Sequence, residues 1–260
     1  MDDRLDPDLI SANLKTRRIG RQILVYESTS STNDIAAEYA RNPRNRGLAV
    51  FAEEQEAGRG RTGARWHSRR GDSLLLSAIL PDCGVPGELL SLTCAVAVAE
   101  AVGQVGGMPA RIKWPNDIML DGRKVAGILL EARQTDGGRV HIVGIGINCH
   151  QRLTDFPPEI QSTATSLDLT GGTPCERIGL ARRVLTSLDQ WLRIAETDRR
   201  QVIDAWTGLS TQLGRRVTLL CEGKSFSGNC IGLDPEKGLI LQLDHGGVRM
   251  FDAAHARIGR

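Results

Sequence analysis

The sequence predicts a mixed α+β protein in which a larger helix-and-sheet unit is followed by a small β-rich unit. Three observations carry this. Strand-length apolar runs alternate with segments of 3.6-residue apolar spacing as far as Leu213. From Gly214 the texture changes to short β-like runs cut by glycine turns. The composition, 40% hydrophobic and 25% charged over 260 residues, is that of an ordinary globular chain long enough for one large core and a small appended one.

Residues 1–22 read as a polar, basic lead-in containing Lys15, Arg17 and Arg18, too short for a helix-turn-helix module. The main domain is expected over 23–213. It opens with a strand at Ile23 to Tyr26, a run of helix-capping residues from Ser28 to Asn33, and a helix with Ile35, Ala36, Tyr39 and Ala40 on one face. Leu48 to Ala52 and Leu74 to Leu80 are apolar strands. Between them Glu53 to Asp72 is too rich in glycine and arginine to be a regular core element. Gly87 to Val105 has the spacing of a buried helix ending at Gly106-Gly107. Three strands are predicted next, at Arg111 to Trp114, Val125 to Ala132 and Val140 to Ile147, and then helices at Pro174 to Thr197 and Arg200 to Leu209. Over 214–260, four β runs separated by turns at Glu222-Gly223, Asp234-Pro235 and His245-Gly246-Gly247 predict a β-barrel of roughly SH3 size.

A net charge of +2 gives no ground for nucleic-acid binding by the whole surface, although Arg59, Arg61, Arg65, Arg69 and Arg70 cluster. The six cysteines form no C-x-x-C pair and lack histidines at zinc-ligand spacing, so they read as small buried hydrophobes. No secretory h-region is seen, and no segment approaches the ~20 apolar residues of a bilayer span. The expected setting is a reducing cytoplasm, away from membranes.

Four segments could carry chemistry. In Gln55-Glu56-Ala57-Gly58-Arg59-Gly60-Arg61-Thr62-Gly63-Ala64-Arg65-Trp66, glycines let backbone N–H groups approach an anion, and arginines add bidentate donors for phosphate or carboxylate. The run lies between two apolar strands and ends in tryptophan, which favours a ligand loop over a basic tail; it is not a Walker A motif. Lys113-Trp114-Pro115-Asn116-Asp117 offers oxygen ligands for Mg²⁺ and a point charge for a triphosphate, but alone is better explained as an ordinary turn. In Gly122 to Glu131, Lys124 stands where a strand buried on both sides begins, and Gly127 suggests close approach of a ligand or another backbone. Val143 to Asn148 is an apolar strand with two glycines that could support a nucleotide, or could simply pack tightly.

In this order, with Ser31-Thr32-Asn33 ahead of them, these segments closely resemble the biotin protein ligase family, from about Ile23 to the C-terminus. The resemblance implies a mixed-sheet, class II synthetase-like ligase domain with an SH3-like C-terminal barrel. It implies ATP-dependent activation of biotin to biotinyl-5′-AMP and transfer of biotin to a lysine of a biotin carboxyl carrier protein. Carried over, Ser31, Thr32, Asn33, Gln55, Gly58, Arg59, Gly60, Arg61, Lys124 and Gly127 would bind biotin. Arg61, Arg65, Trp66, Lys113, Asn116, Asp117 and Asn148 would serve ATP; Asp117 would hold Mg²⁺, and Lys124 and Arg61 would be the catalytic cations. Trp66 and Trp114 are candidates for stacking, with core packing the alternative.

Residues 1–22 leave no room for the DNA-binding domain many members carry, so the expectation is either the monofunctional type, with DNA binding unlikely, or a chain from which such a domain has been removed. Homodimerisation through a sheet edge, common in the family, is an open expectation. The nearest rival is a lipoate or octanoate ligase or transferase, which would need an apolar tunnel and no arginine loop. A rival of another class is a non-enzymatic nucleic-acid-binding module.

Overall fold

The structure, a computed structural model, describes residues 3–259 apart from the Thr62 side chain; residues 1 and 2 of the lead-in and residue 260 of the C-terminal unit lie outside them. Seven strands form the main sheet: β1 (Ile23–Tyr26), β2 (Ala49–Ala52), β3 (Ser73–Ile79), β4 (Arg111–Lys113), β5 (Asp117–Leu120), β6 (Arg123–Thr135) and β7 (Gly138–Asn148). Their order is β1-β2-β3-β7-β6-β5-β4. The β1–β2 pair is parallel and the other pairings are antiparallel. The sheet is therefore mixed, as the fold class predicts.

Alternation along the strands divides the sheet into two unlike faces. Leu74, Leu76 and Ala78 of β3 and Val143, Ile145 and Ile147 of β7 belong to the main core. That core is closed by the helices α3 (Gly87–Gly106), α5 (Arg177–Thr197) and α6 (Arg199–Leu209). On the other face Val50, Ile79 and Ile142 lie under α2 (Thr32–Tyr39), and beyond α2 the face carries Ser77, Gly127, Gly144 and Gly146. Helix α3 is apolar nearly all round and ends at Gly107 in the left-handed conformation, as expected. At 20 residues it is long and apolar enough to cross a bilayer, contrary to the sequence reading, but most of it is buried in the core.

The C-terminal unit is a five-stranded antiparallel sheet, β8 (Arg216–Cys221), β9 (Lys224–Asp234), β10 (Gly238–Leu243), β11 (Val248–Phe251) and β12 (Ala256–Ile258), in the order β11-β10-β9-β8-β12, consistent with an SH3-like barrel. Leu219, Cys230, Leu239, Leu241 and Phe251 fill it. All six cysteines are free thiols, five of them buried.

Several short elements escape the sequence reading. Strand β5 begins inside the segment read as a turn and has only four residues. Strand β12 has three, and α4 (Leu167–Gly171), capped by the Ser166 hydroxyl, has five, too few to show a period.

The lead-in is not a trailing polar segment. Leu5, Ile10 and Ile19 are buried in the main core, and α1 (Pro7–Ser11), capped by the Asp6 carboxylate, packs against α5 and β1. Its start is clamped by charge. Asp3 accepts hydrogen bonds from His150 Nε2 at 2.7 Å and Arg177 Nε at 2.9 Å, while Arg177 also donates to buried Glu53 at 2.7 Å. His150 Nδ1 meets Asp168 at 2.8 Å. The Asp3 hydrogen bond, opposed by partial burial and aided by Asp168, raises the His150 imidazole to about 9.

Candidate active site

Two cross-strand rows make the floor of a cleft of about 750 Å³. One row runs Ser77, Gly144, Leu129; the next runs Leu75, Gly146, Gly127, Asp117. Strand β6 is thus open to the cleft at Gly127 and Leu129 rather than buried on both sides as the sequence suggested. The glycines are required by what lies over them. A Cβ on Gly144 would fall on Oδ1 of Asn33, and one on Gly146 would enter the Trp66 indole.

At one end the first turn of α2 brings a polar cluster onto the floor. Gln55 Oε1 accepts the Thr32 N–H at 2.7 Å, the Thr32 and Ser77 hydroxyls share a 2.7 Å bond, and Ser77 donates to Asn33 Oδ1 at 2.5 Å. Asn33 Nδ2 donates to Glu131 at 2.9 Å. Ser31, Thr32, Asn33 and Ser77 are all buried. Ser31 occupies the N-cap position but its hydroxyl makes no cap bond, so the run read as capping residues is turned to the cleft.

The arginine loop folds into a small hairpin. The Gly60 N–H donates to the Ala64 carbonyl at 2.6 Å and Trp66 N–H to the Gly58 carbonyl at 3.0 Å, with a short 3-10 turn at Arg61–Gly63. Arg59 makes a bidentate pair with Asp34 at 2.8 and 2.6 Å, which holds that carboxyl below the ordinary range. Arg65 donates to the Glu56 carbonyl at 3.0 Å. Arg61 crosses to the barrel and donates to the Ala253 carbonyl; desolvation pulls its guanidinium pKa below the usual value. Trp66 lies flat over Gly127 and Gly146, and its buried Nε1 has no partner among the described residues.

At the opposite wall Lys124 Nζ is 2.5 Å from Asp117 Oδ1 and 5.7 Å from the Trp66 ring centroid. Backbone bonds to residues 163 and 165 fix the start of β6, so the lysine stem is anchored while its head is about one-third exposed. Asn116 is bound both ways to the backbone of Ile128, and Trp114, buried at 3% exposure, is anchored by Gln212; Trp114 is a core residue whose edge reaches the cleft. Lys113 completes that wall.

The cleft thus gathers Ser31, Thr32, Asn33, Gln55, Arg59, Gly60, Arg61, Arg65, Trp66, Lys113, Asn116, Asp117, Lys124 and Gly127. It leaves out two sequence candidates. Asn148 lies on the same face of β7 as Gly144 and Gly146 but at the end of the strand beyond the floor, buried, with its amide donating to the Thr165 carbonyl at 2.9 Å. Gly58 is at the base of the hairpin, close against the Trp66 backbone, and does not line the cleft. Sequence reasoning missed Ser77, whose apolar neighbours conceal it. It also missed the barrel wall, where Glu222, Gly223, His255 and Arg257 face the cleft. The Glu222-Gly223 turn was legible; its place over the main sheet was not.

For a metal, Asp117 is the single carboxylate offered by the Lys-Trp-Pro-Asn-Asp segment, and no cluster of three or more His, Cys, Asp or Glu able to hold a metal occurs among the described residues. That donor set fits an ion carried in by substrate phosphates, since Mg²⁺ commonly keeps waters and takes one or two carboxylates. It does not fit a resident metal centre.

Comparison with known proteins places the site in context. The model of the Biotin/lipoate A/B protein ligase family matches residues 25–149. The chain is 34% identical over 254 residues to the Bifunctional ligase/repressor BirA of Bacillus subtilis, covering 96% of this chain and 78% of that protein. It is 32% identical to the biotin--[acetyl-CoA-carboxylase] ligase of Mycobacterium tuberculosis, covering 98% of each. Its fold superposes on the biotin protein ligase of Aquifex aeolicus in complex with biotin and ATP with a TM-score of 0.78 and 28% identity, over 92% of this chain and 99% of that one. On these matches the chain belongs to the biotin protein ligases, enzymes of the Biotin/lipoate A/B protein ligase family.

Proposed function

We propose that the cleft joins biotin to ATP as biotinyl-5′-AMP and then passes the biotinyl group to a lysine of a biotin carboxyl carrier domain, in the cytoplasm. The observation that carries this is the pairing, across one glycine floor, of a buried neutral polar cluster with a cationic wall. Thr32, Asn33, Gln55 and Ser77 offer donors and acceptors suited to a ureido ring, which the dithiolane of lipoate could not satisfy. Lys113, Lys124, Arg61 and Arg65 stand where a carboxylate and a triphosphate would meet. Two anions repel, and cations held in advance offset that repulsion while aligning the attack.

In this reading Lys124 would turn to the biotin carboxylate and the α-phosphate, and Asp117 would be the carboxylate that holds the Mg²⁺ entering as part of MgATP. That ion would supply charge neutralisation on the phosphates. Arg61 would turn from the Ala253 carbonyl onto the adenylate, and the hairpin would then shield the activated acyl group from water. Incubation with biotin, ATP and Mg²⁺ followed by mass spectrometry is expected to yield biotinyl-5′-AMP, with lipoate inert in its place; activation of lipoate but not biotin would overturn the reading.

A further inference from the structure

The second half-reaction needs a step for which the floor and the cationic wall provide no group. The attacking lysine arrives as an ammonium, and at neutral pH only about one in a few thousand such amines is unprotonated. The charged wall of Arg61, Lys113 and Lys124 cannot accept a proton. Asp34 is held by Arg59, and Asp117, paired with Lys124 in the structure, is the carboxylate that the proposed reaction assigns to the phosphates and their ion.

On the barrel side the turn after β11 presents His255, the one histidine lining the cavity among the described residues. Its Nδ1 lies 2.9 and 3.0 Å from the two carboxylate oxygens of Asp252, and the Asp252 carboxylate also accepts the Ala254 and His255 backbone N–H groups. An acceptor on Nδ1 fixes the proton there in the neutral ring, so the lone pair is on Nε2, which has no hydrogen-bond partner among the described residues. The turn is tied to the arginine hairpin through Ala253, whose carbonyl accepts from Arg61. The imidazole is 63% exposed, which suits a group that must meet a lysine delivered by another macromolecule.

We infer that His255, oriented by Asp252, is the general base of the transfer step, accepting the proton of the incoming lysine. This rests on the proposed two-step reaction. As Nε2 takes the proton, the lysine Nζ lone pair forms a bond to the acyl carbon. The acyl carbon–oxygen bond to the phosphate then breaks and its electron pair leaves with AMP; the second proton of the acylated nitrogen passes to water, and the imidazolium returns the first to solvent. Asp252 raises the His255 pKa above its ordinary value, with a smaller contribution from Glu222 on the β8–β9 turn. The Asp252 charge also acts on Arg61 through space, and Arg257 lines the wall two residues on from His255. Since the neutral ring is the working form, transfer should rise with pH through that raised value.

The test separates the half-reactions in the full chain. Biotin-dependent pyrophosphate exchange reports the first; transfer from supplied biotinyl-5′-AMP to the carrier domain of an acetyl-CoA carboxylase, in single turnover, reports the second. His255→Gln is expected to slow transfer by about 100-fold or more, far beyond its effect on exchange, and to move the rising pH limb up to the titration of the attacking lysine itself. Asp252→Asn should move that limb to lower pH. Hydroxylamine, a nucleophile already unprotonated near neutral pH, should react with the bound adenylate with little dependence on His255. Equal losses in exchange and transfer, an equal loss with hydroxylamine, or a pH limb that stays in place in His255→Gln but disappears in Glu222→Gln would overturn the inference. Absence of exchange in the wild-type chain would instead reject the proposed substrates, leaving the transfer assay to be judged by itself.

Discussion

The tightest contact in the site is between Gly144 and Asn33, and Gly144→Ala makes it measurable. The new methyl would occupy the place of Asn33 Oδ1, an atom that already accepts from Ser77 while its partner Nδ2 donates to Glu131. Strand β7 is held on both sides by β3 and β6, so the backbone at Gly144 cannot retreat. Either Asn33 swings away, stranding the buried Ser77–Asn33 hydrogen bond, or the first turn of α2 lifts from the sheet. Overpacking costs about 1–3 kcal/mol and a stranded buried polar group a similar amount, so a loss of about 2–4 kcal/mol is expected. For a chain of this size that lowers Tm by roughly 5–15 °C. Thermal melts followed by circular dichroism read the stability, and calorimetric titration reads biotin binding, which should weaken at least ~10-fold. The double variant with Asn33→Ala removes the colliding atom, so the two effects should fail to add by more than about 1 kcal/mol. A Tm within about 2 °C of wild type for Gly144→Ala, or strict additivity in the double variant, would refute the steric reasoning.

Lys124→Ala should lower the adenylation rate by at least ~100-fold, the scale of losing one preorganised charged donor; unchanged pyrophosphate release would reject its role. Arg61→Gly should still form the adenylate but release it early, seen as free biotinyl-5′-AMP in a filter assay, and wild-type retention would contradict the shielding role of the hairpin. The His150 clamp makes stability depend on pH. Because the folded imidazole is raised to about 9 from an ordinary 6.5, its stabilisation, up to about 3 kcal/mol, is fully present below pH 6.5 and is lost as pH rises through 9. His150→Gln should flatten that alkaline decline in chemical-denaturation curves, and an undiminished slope would rule the clamp out.

Much of the framework was legible in the sequence because burial writes it plainly. Strand β3 is seven residues buried throughout, and α3 is apolar on every side. The mixed sheet and the terminal barrel follow from such runs and from the turns between them. What stayed illegible depended on distant partners. The anchoring role of Leu5, Ile10 and Ile19 cannot be seen in a segment dominated by charge, since their partners lie on α5 and the main sheet. Strand β5 starts at Asp117, a residue whose type signals a turn and whose strand geometry is imposed by β4 and β6. In the site, residue types predicted the chemistry of the loop and the lysine, but not which of them reach the cleft. Gly144, Gly146 and Asn148 share one face of β7 by period 2, yet Asn148 lies past the floor and is tied to the Thr165 carbonyl. Nothing local announced that His255 would line the same cleft as Lys124.

The ion pairs at rest have a further consequence. With Arg59 held by Asp34 and Lys124 by Asp117, the ligand-free cleft shows visiting anions much less positive charge than its residue list implies. A lone phosphate or a stretch of polynucleotide must displace a carboxylate for each cation it recruits and gains little by doing so. A ligand that fills the polar end and the cationic wall together can offset both displacements at once. The carboxylates therefore act as a filter, trading strength of attraction for discrimination among the many anions of a cell.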